Sequence, residues 1–285
     1  MSFIYAERNN DHTLICSDTR ITLDPLSRLR WGEQTYNAIC AYGLIKSIIV
    51  CNECCISFAG NNIMLAHDLL EKITGVGEVS EEQLLEYALD IHVSANPDDI
   101  EFIICTVDEN KKTHIACIKN GGMTLDNQNA WIGSSKAFRK MQELRVQGIE
   151  RIEGTWLGVS GLFGRAMSEC GDDTVGGFQI DTIYSPSENS FFYTEKLTMI
   201  TGRDQLLQPG ESIKFDGDAA EGAYTAYQYW SNEGVRIDLM QGDFSVLYTK
   251  KYRLEELDEQ TKLFLLPIPF RTSQGTVLVT RARGV

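Results

Sequence analysis

The chain has 285 residues, of which 43% are hydrophobic, so it can bury one large core, or a medium core with an appended segment. Its formal net charge of −14, which no basic stripe offsets, argues against a nucleic-acid partner. No run approaches the roughly 18 apolar residues of a membrane span. The first residues lack the basic and apolar pattern of a secretory signal, so we expect a soluble, cytoplasmic protein.

The first 18 residues predict two short strands joined by a polar turn. Phe3 to Glu7 is rich in β-forming residues, Asn9 to His12 supplies turn chemistry, and Thr13 begins a second apolar run. Ser2 would therefore be held at the start of a strand. Removal of Met1 would give the Ser2 hydroxyl a free α-amine as its neighbour, which is a known way to activate a nucleophile.

Residues 21–42 are polar and irregular, and they predict a surface loop or a short hairpin. Strands are expected at Ser47–Val50 and at Cys54–Phe58. A helix should follow Gly60, with one broad apolar face formed by Ile63, Met64, Leu65, Leu69, Leu70 and Ile73. The capping box from Ser80 to Gln83 opens a second helix.

Strands are next expected at Glu101–Val107, Thr113–Ile118 and Ala130–Gly133, followed by helices over 135–146 and 156–170 and strands over 176–184 and 190–197. Pairs of helices beside mostly antiparallel strands predict an α+β fold with two stacked sheets between helical layers. Residues 1–197 would form this four-layer αββα domain.

Residues 198–285 form a C-terminal extension that we expect to pack on the core, and no catalytic motif is visible in it. Its composition suggests a helix over Ala219–Trp230 and strands at Asp243–Tyr248 and Thr276–Thr280. The apolar run Leu263–Phe270 is broken by two prolines, which favours an edge strand or an extended segment.

Eight cysteines are spread along the chain, mostly between apolar neighbours, which predicts buried and reduced thiols. The run Cys51-x-x-Cys54-Cys55 has the spacing of half a zinc site. However, no second close pair of ligands follows, and the four histidines are scattered. We therefore expect neither a metal ion nor a cofactor.

Several motifs, in a consistent order, resemble the proteasome β-subunit family. These are N-terminal-nucleophile hydrolases that also include the bacterial HslV and Anbu peptidases. Asp18 lies as far from Ser2 as the family's essential aspartate lies from its terminal threonine, and Arg20 matches the end of the family's Asp-Ser-Arg motif. Lys46 stands at the family's usual spacing before Gly60. The resemblance covers residues 2 to 197.

Two further positions extend the resemblance. Ser134, in Ile132-Gly-Ser, is similar to the serine that completes the family's proton network. Asp172, four residues before Gly176-Gly177, is similar to the last acid of that network, and the adjacent Asp173 is an alternative.

Amide hydrolysis by a terminal hydroxyl needs a nucleophile, a proton acceptor, a charge that tunes their pKa values, and an oxyanion hole. Ser2 would attack, and its α-amine would accept the proton. Lys46, held by Asp18, would favour the neutral amine or take the proton itself. The resemblance implies that the Gly60 N–H is the main oxyanion donor, with Ser134 and Asp172 completing the network.

By the same correspondence, apolar residues near Arg20 would line the pocket for the side chain that precedes the scissile bond. These residues are Ile21, Leu44, Ile48 and Phe58. They predict a preference for apolar over charged substrate side chains, with Phe58 limiting the depth of the pocket.

We therefore expect a self-assembling peptidase that acts on peptide or protein substrates within a ring or spiral of its own copies, with an unfoldase as a possible partner. One alternative is a catalytically silent structural or interaction protein on the same fold. Val175, where the family usually has a serine, and a retained Met1 would favour it. A lesser alternative is an amidase of small molecules.

Overall fold

We describe the chain from a computed structural model. It describes residues 2–9, 12–22, 29–31, 34–36, 40–42, 46–62, 64–75, 79–96, 98–148, 156–176, 179–194, 198–200, 226–231, 234–239, 245–249, 265–272 and 275–280. Within these residues the chain is mixed α and β, with four helices and antiparallel sheets, consistent with the expected α+β class.

The first sheet is built around the N-terminal hairpin. Strands β1 (Phe3–Arg8) and β2 (Thr13–Asp18) form the hairpin, as predicted. The sheet also contains β12 (Asn129–Gly133), β13 (Gln179–Ser185) and β14 (Ser190–Tyr193). Its strand order is β12-β1-β2-β13-β14, and all its pairings are antiparallel. The hairpin therefore occupies the interior of the sheet, where both its edges are paired.

The second sheet has the order β11-β10-β9-β8-β7. Its strands are β7 (Ser47–Cys51), β8 (Cys54–Ala59), β9 (Glu101–Val107), β10 (Thr113–Lys119) and β11 (Gly122–Thr124). The first four match the predicted strands closely. The short β11 was not predicted, since its three residues carry no alternating pattern.

Two pairs of helices accompany the sheets. They are α1 (Met64–Gly75), α2 (Glu81–Ser94), α3 (Ser135–Val146) and α4 (Trp156–Glu169). The predicted capping box is present at α2, because the Ser80 hydroxyl accepts from the Gln83 amide while the Gln83 side chain accepts from the Ser80 amide.

The predicted apolar face of α1 is wrong at Met64, whose exposed fraction is 43%, whereas Leu69, Leu70 and Ile73 are buried. The physical reason is helical phase. Met64 precedes Ile73 by nine residues, and at about 100° per residue this places it on the opposite side of the helix. Ile63, the other residue expected at the start of this face, lies outside the described residues.

Side chains of the first sheet alternate between two hydrophobic clusters, as the period of a strand requires. On one face, Phe3 and Tyr5 join apolar residues of α3 and α4, and the Phe3 ring stacks on Phe163 with centroids 4.7 Å apart. On the other face, Ile4 and Ala6 join a larger cluster with the second sheet, α1 and α2. Strands β1 and β2 are therefore buried on both sides.

Part of the irregular segment after Arg20 is described as four short strands in two ribbons. Strand β3 (Arg20–Thr22) pairs with β6 (Cys40–Tyr42), and β4 (Leu29–Trp31) pairs with β5 (Gln34–Tyr36). The sequence predicted a surface loop or one short hairpin here, and the described residues form two such ribbons.

The C-terminal extension contains a six-stranded antiparallel sheet in the order β15-β16-β17-β18-β20-β19. Its strands are β15 (Thr198–Ile200), β16 (Ala226–Ser231), β17 (Gly234–Leu239), β18 (Ser245–Thr249), β19 (Leu265–Thr272) and β20 (Gly275–Thr280). The proline-broken β19 lies at the edge, as predicted. Its register shifts between Leu266 and Phe270, across both prolines.

The helix expected over Ala219–Trp230 is wrong for its last five residues, which belong to β16, and residues 219–225 lie outside the described part. The aromatic residues Tyr227, Tyr229 and Trp230 explain the difference, since they favour a strand.

Most of the described cysteines pack in the core, as expected. Burial raises the pKa of the Cys105 thiol to about 12 and that of Cys117 to about 11, which is characteristic of inert, structural thiols. None of the helices among the described residues is both long and apolar enough to cross a membrane.

Candidate active site

A buried ion pair joins the end of β2 to the residue just before β7. The Lys46 ammonium donates to Asp18 Oδ1 over 2.7 Å and to the Arg20 carbonyl over 2.6 Å. The exposed fractions of the two charged side chains are 2% and 0%, so water screens this pair little. A buried charge is tolerated only when it is paired and hydrogen-bonded, and both conditions are met here.

The Asp18 carboxylate also holds two backbone segments. Its Oδ1 accepts the Phe3 N–H at 3.0 Å, and its Oδ2 accepts the Gly176 N–H at 3.1 Å. Asp18 is thus a junction between the start of β1, the Lys46 ammonium and the segment that precedes β13. A hydrogen bond from a charged donor such as the Lys46 ammonium is about twice as strong as a neutral one, so Asp18 ties these three segments together.

Ser2 is buried beside this junction, with an exposed fraction of 6%. It immediately precedes Phe3, whose amide is bound by Asp18, and its carbonyl oxygen accepts the Ser134 N–H at 2.6 Å. Met1 lies outside the described residues. The chain at Ser2 is therefore held between Asp18 on one side and Ser134 on the other.

The Ser134 hydroxyl makes two hydrogen bonds. Its hydroxyl oxygen caps α3 by accepting the Ala137 N–H at 3.1 Å, and the same hydroxyl donates to Asp172 Oδ2 at 2.5 Å. Of the two candidate acids, Asp172 makes this contact, whereas the side chain of Asp173 is exposed.

The Asp172 carboxylate also accepts hydrogen bonds from Thr174. Its Oδ1 receives the Thr174 N–H at 3.0 Å and the Thr174 hydroxyl at 2.6 Å. Partial burial raises the pKa of this carboxyl, but the hydrogen bonds from Ser134 and Thr174, helped by the charge of Lys136, outweigh burial and hold the pKa below its ordinary value. Asp172 is therefore ionised at neutral pH.

Gly60 directly follows β8, where the chain passes very close to another backbone segment. A Cβ atom on Gly60 would lie 2.1 Å from the Asp99 carbonyl oxygen, so no other residue fits. The next two amides, of Asn61 and Asn62, donate to the carbonyls of Asp98 and Asp99 and fix the turn.

The predicted pocket residues are described in part. Ile48 and Phe58 are buried in the larger hydrophobic cluster, with exposed fractions of 0% and 2%. Arg20 is half-buried, and its guanidinium donates to the Val175 carbonyl at 3.4 Å. Leu44 and the side chain of Ile21 lie outside the described residues.

Two polar features were not predicted. Glu101, at the start of β9, accepts the Gly133 N–H at 2.7 Å. A carboxylate at the head of the apolar run Phe-Ile-Ile-Cys was the only visible signal. The second feature is a buried network beneath α4, where the Ser160 hydroxyl and the Gln179 amide both donate to the Asp181 carboxylate.

Within the described part of the chain, no group of three or more His, Cys, Asp or Glu side chains is placed to hold a metal ion. Comparison of the sequence with models of known protein families and with curated proteins finds no match to either.

Proposed function

We propose that the chain is an N-terminal-nucleophile peptidase of the proteasome β type, with Ser2 as the nucleophile once Met1 is removed. The observation that carries the proposal is the buried Lys46–Asp18 pair at 2.7 Å. The same Asp18 carboxylate accepts the amide of Phe3, the residue that follows Ser2. Burying a lysine charge is unfavourable unless the charge is paired. A buried ion pair close to a serine is typical of a site that shifts the pKa of a reacting group.

In the proposed reaction, the Ser2 Oγ attacks the carbonyl carbon of the scissile peptide bond, and its proton passes to the Ser2 α-amine. An α-amine with an ordinary pKa of about 7.7–8.0 is already close to neutral, and the nearby Lys46 charge lowers that pKa further. The proton then passes to the leaving amine, which departs. Water, deprotonated by the same amine, hydrolyses the acyl ester and restores Ser2.

Two other groups complete the proposed mechanism. The Gly60 N–H would stabilise the negative oxygen of the tetrahedral intermediate. The Ser134 hydroxyl, oriented by ionised Asp172, would relay protons near the α-amine. Ile21 and Leu44, together with Arg20, would select the substrate, whereas Ile48 and Phe58, which were expected in the same pocket, are buried in the larger hydrophobic cluster.

The finer architecture belongs to this proposal. One face of the first sheet packs with α3 and α4, and the other packs with the second sheet, α1 and α2, which supports an αββα sandwich over residues 1–197. We further propose a cytoplasmic ring or spiral of copies acting on peptides or unfolded proteins, with residues 198–285 as an extension packed on the core and an unfoldase as a possible partner.

One observation favours a second candidate, a catalytically silent protein on the same fold. Val175 is buried in the cluster with α3 and α4, at 3% exposure, in the position where the resembled family usually carries a serine of the proton network. A retained Met1 would agree with this alternative, because it would lock the Ser2 nitrogen in a peptide bond.

The mass of the intact native protein and its reaction with an electrophilic peptide probe distinguish the two candidates. We expect a Ser2 terminus, a covalent adduct mapped to Ser2, loss of the adduct in Ser2→Ala, and its retention in Ser2→Thr. Retention of Met1 in the native protein, or labelling that survives in Ser2→Ala, would contradict the peptidase.

A further inference from the structure

The Glu101 carboxylate joins the two sheets beside the proposed site. Glu101 is the first residue of β9 in the second sheet, and its Oε2 accepts the N–H of Gly133, the last residue of β12 in the first sheet, at 2.7 Å. The two residues are 32 positions apart, so this is a tertiary contact and not local turn chemistry.

Each residue of this hydrogen bond is paired, across a strand, with the chain neighbour of a proposed reacting residue. Within the second sheet, Glu101 is paired with Ala59, the residue before Gly60. Within the first sheet, Gly133 is paired with Phe3, the residue after Ser2. The bond therefore connects β9, which pairs with the strand that leads to the proposed oxyanion donor, to β12, which pairs with the strand that follows the proposed nucleophile.

The Gly133 peptide is packed closely against Ser2. Gly133 has a φ of +84°, and a Cβ atom there would lie 1.9 Å from the Ser2 carbonyl oxygen and 3.3 Å from the Ala59 Cβ. The next amide, of Ser134, donates to that same Ser2 oxygen at 2.6 Å. Whatever orients the Gly133 N–H thus also orients the Ser2–Ser134 contact.

Partial burial makes an ionised carboxylate unfavourable at this position. It raises the pKa of Glu101, although the Gly133 N–H, Lys119 and His92 act in the opposite direction. The following residues Phe102, Ile103 and Ile104 are all fully buried apolar side chains. A strand start that served packing alone would take an apolar or neutral residue, since a half-buried charge must be compensated by partners.

Resting on the proposed peptidase, we propose that Glu101 is a positioning residue: by accepting the Gly133 N–H, it fixes the distance between the Ser2 hydroxyl and the Gly60 N–H across the two sheets. The Glu101 carboxylate binds the Gly133 N–H, so its effect passes through the Gly133–Ser134 peptide. Displacement of a reacting group by about 1 Å can cost roughly 100-fold in rate, so a modest shift of this peptide is enough.

Three variants test the inference. Glu101→Gln keeps an oxygen acceptor of the same length, Glu101→Asp keeps the charge but withdraws the oxygen by one methylene, and Glu101→Ala removes the acceptor. Glu86→Ala, on the exposed side of α2, is the matched control. Folding of each variant is checked by circular dichroism and thermal unfolding, and Glu101→Asp serves in place of Glu101→Ala if the latter does not fold.

We expect Glu101→Ala and Glu101→Asp to lower kcat and the rate of Ser2 labelling by roughly 10–100-fold with KM within about twofold, and Glu101→Gln to stay within about threefold of wild type. Hydrogen exchange at the Gly133 and Ser134 amides should accelerate in the first two variants only. Labelling of Glu101→Ala at the wild-type rate, or failure of folded Glu101→Gln to restore it, overturns the inference.

The failure of the proposed function gives a different result. If wild-type Ser2 is never labelled, the peptidase and the positioning role fall together, while exchange at Gly133 still reports whether the Glu101 contact exists. If wild type is labelled and the Glu101 variants match it, only the positioning role is lost.

Discussion

The Ser2 carbonyl oxygen occupies the space in which a side chain on Gly133 would begin, 1.9 Å from the position of a Cβ atom. Ser2 directly precedes β1, and Gly133 is the last residue of β12, the strand that pairs with β1. The Ser134 amide adds a hydrogen bond to the same Ser2 oxygen. The start of β1 is thus positioned by backbone packing as well as by Asp18.

This contact predicts that Gly133→Ala is strongly destabilising. The substitution forces a non-glycine residue to a φ of +84° and creates a clash with backbone, which cannot move aside as a flexible side chain does. We expect the free energy of unfolding to fall by roughly 2–6 kcal/mol, combining the costs of positive φ and overpacking. Urea unfolding followed by circular dichroism measures it.

Gly122→Ala is the matched control, because a Cβ atom there meets nothing within 4 Å and its φ is ordinary. We expect it to change the free energy of unfolding by less than about 0.5 kcal/mol, as surface substitutions generally do. Equal effects of the two substitutions would show that Ser2 is not packed against Gly133.

A second prediction concerns the Asp18–Lys46 pair. Each of the substitutions Asp18→Asn and Lys46→Met leaves one buried charge without its partner. Each should lower the free energy of unfolding by about 3–5 kcal/mol. The double variant should lose clearly less than the sum, because the orphaned charge is removed along with its partner. A double-mutant cycle measured by urea unfolding gives the coupling energy.

The surface pair Lys140–Glu169, with Nζ and Oε2 3.2 Å apart and partly exposed, provides the control cycle. Its coupling should stay below about 1 kcal/mol, as is usual for solvent-exposed pairs. Additive effects of Asp18→Asn and Lys46→Met would mean that their side chains do not interact in the folded protein.

Local chemistry made much of the fold predictable. The Asn9–His12 turn defines the hairpin, and the Ser80 capping box defines where α2 begins, because in each case the signal and its consequence lie within a few residues. Phase was harder. Met64 is apolar and adjacent to the α1 stripe, but its angular position puts it on the solvent side.

The site itself was predictable only through the family resemblance. Asp18 and Lys46 are 28 residues apart, and nothing local in either segment indicates that they meet. The Glu101–Gly133 bond could not be predicted by either kind of reasoning, since it joins strands of two separate sheets. A carboxylate before an apolar strand looks like an ordinary solvated strand end until its partner is known.

The charge of Glu101 yields a third prediction, on the pH dependence of stability. Burial raises the pKa of this carboxyl, with Asp98 adding to the effect, while the Gly133 N–H, Lys119 and His92 oppose it. The pKa of a glutamate in an unfolded chain is about 4.3. Between that pH and the raised native pKa, the folded protein therefore binds more protons than the unfolded chain.

Under this imbalance, the contribution of Glu101 to the free energy of unfolding is fully present below about pH 4.3 and is lost as the pH rises through the native pKa. Glu101→Gln cannot titrate, so its stability relative to wild type should increase across that window. Urea unfolding of both proteins at intervals from about pH 4 to about pH 7 measures the difference. Glu86→Gln, at an exposed position, should show no such trend, and a relative stability of Glu101→Gln that stays flat or decreases with pH would mean that Glu101 is not buried against Gly133.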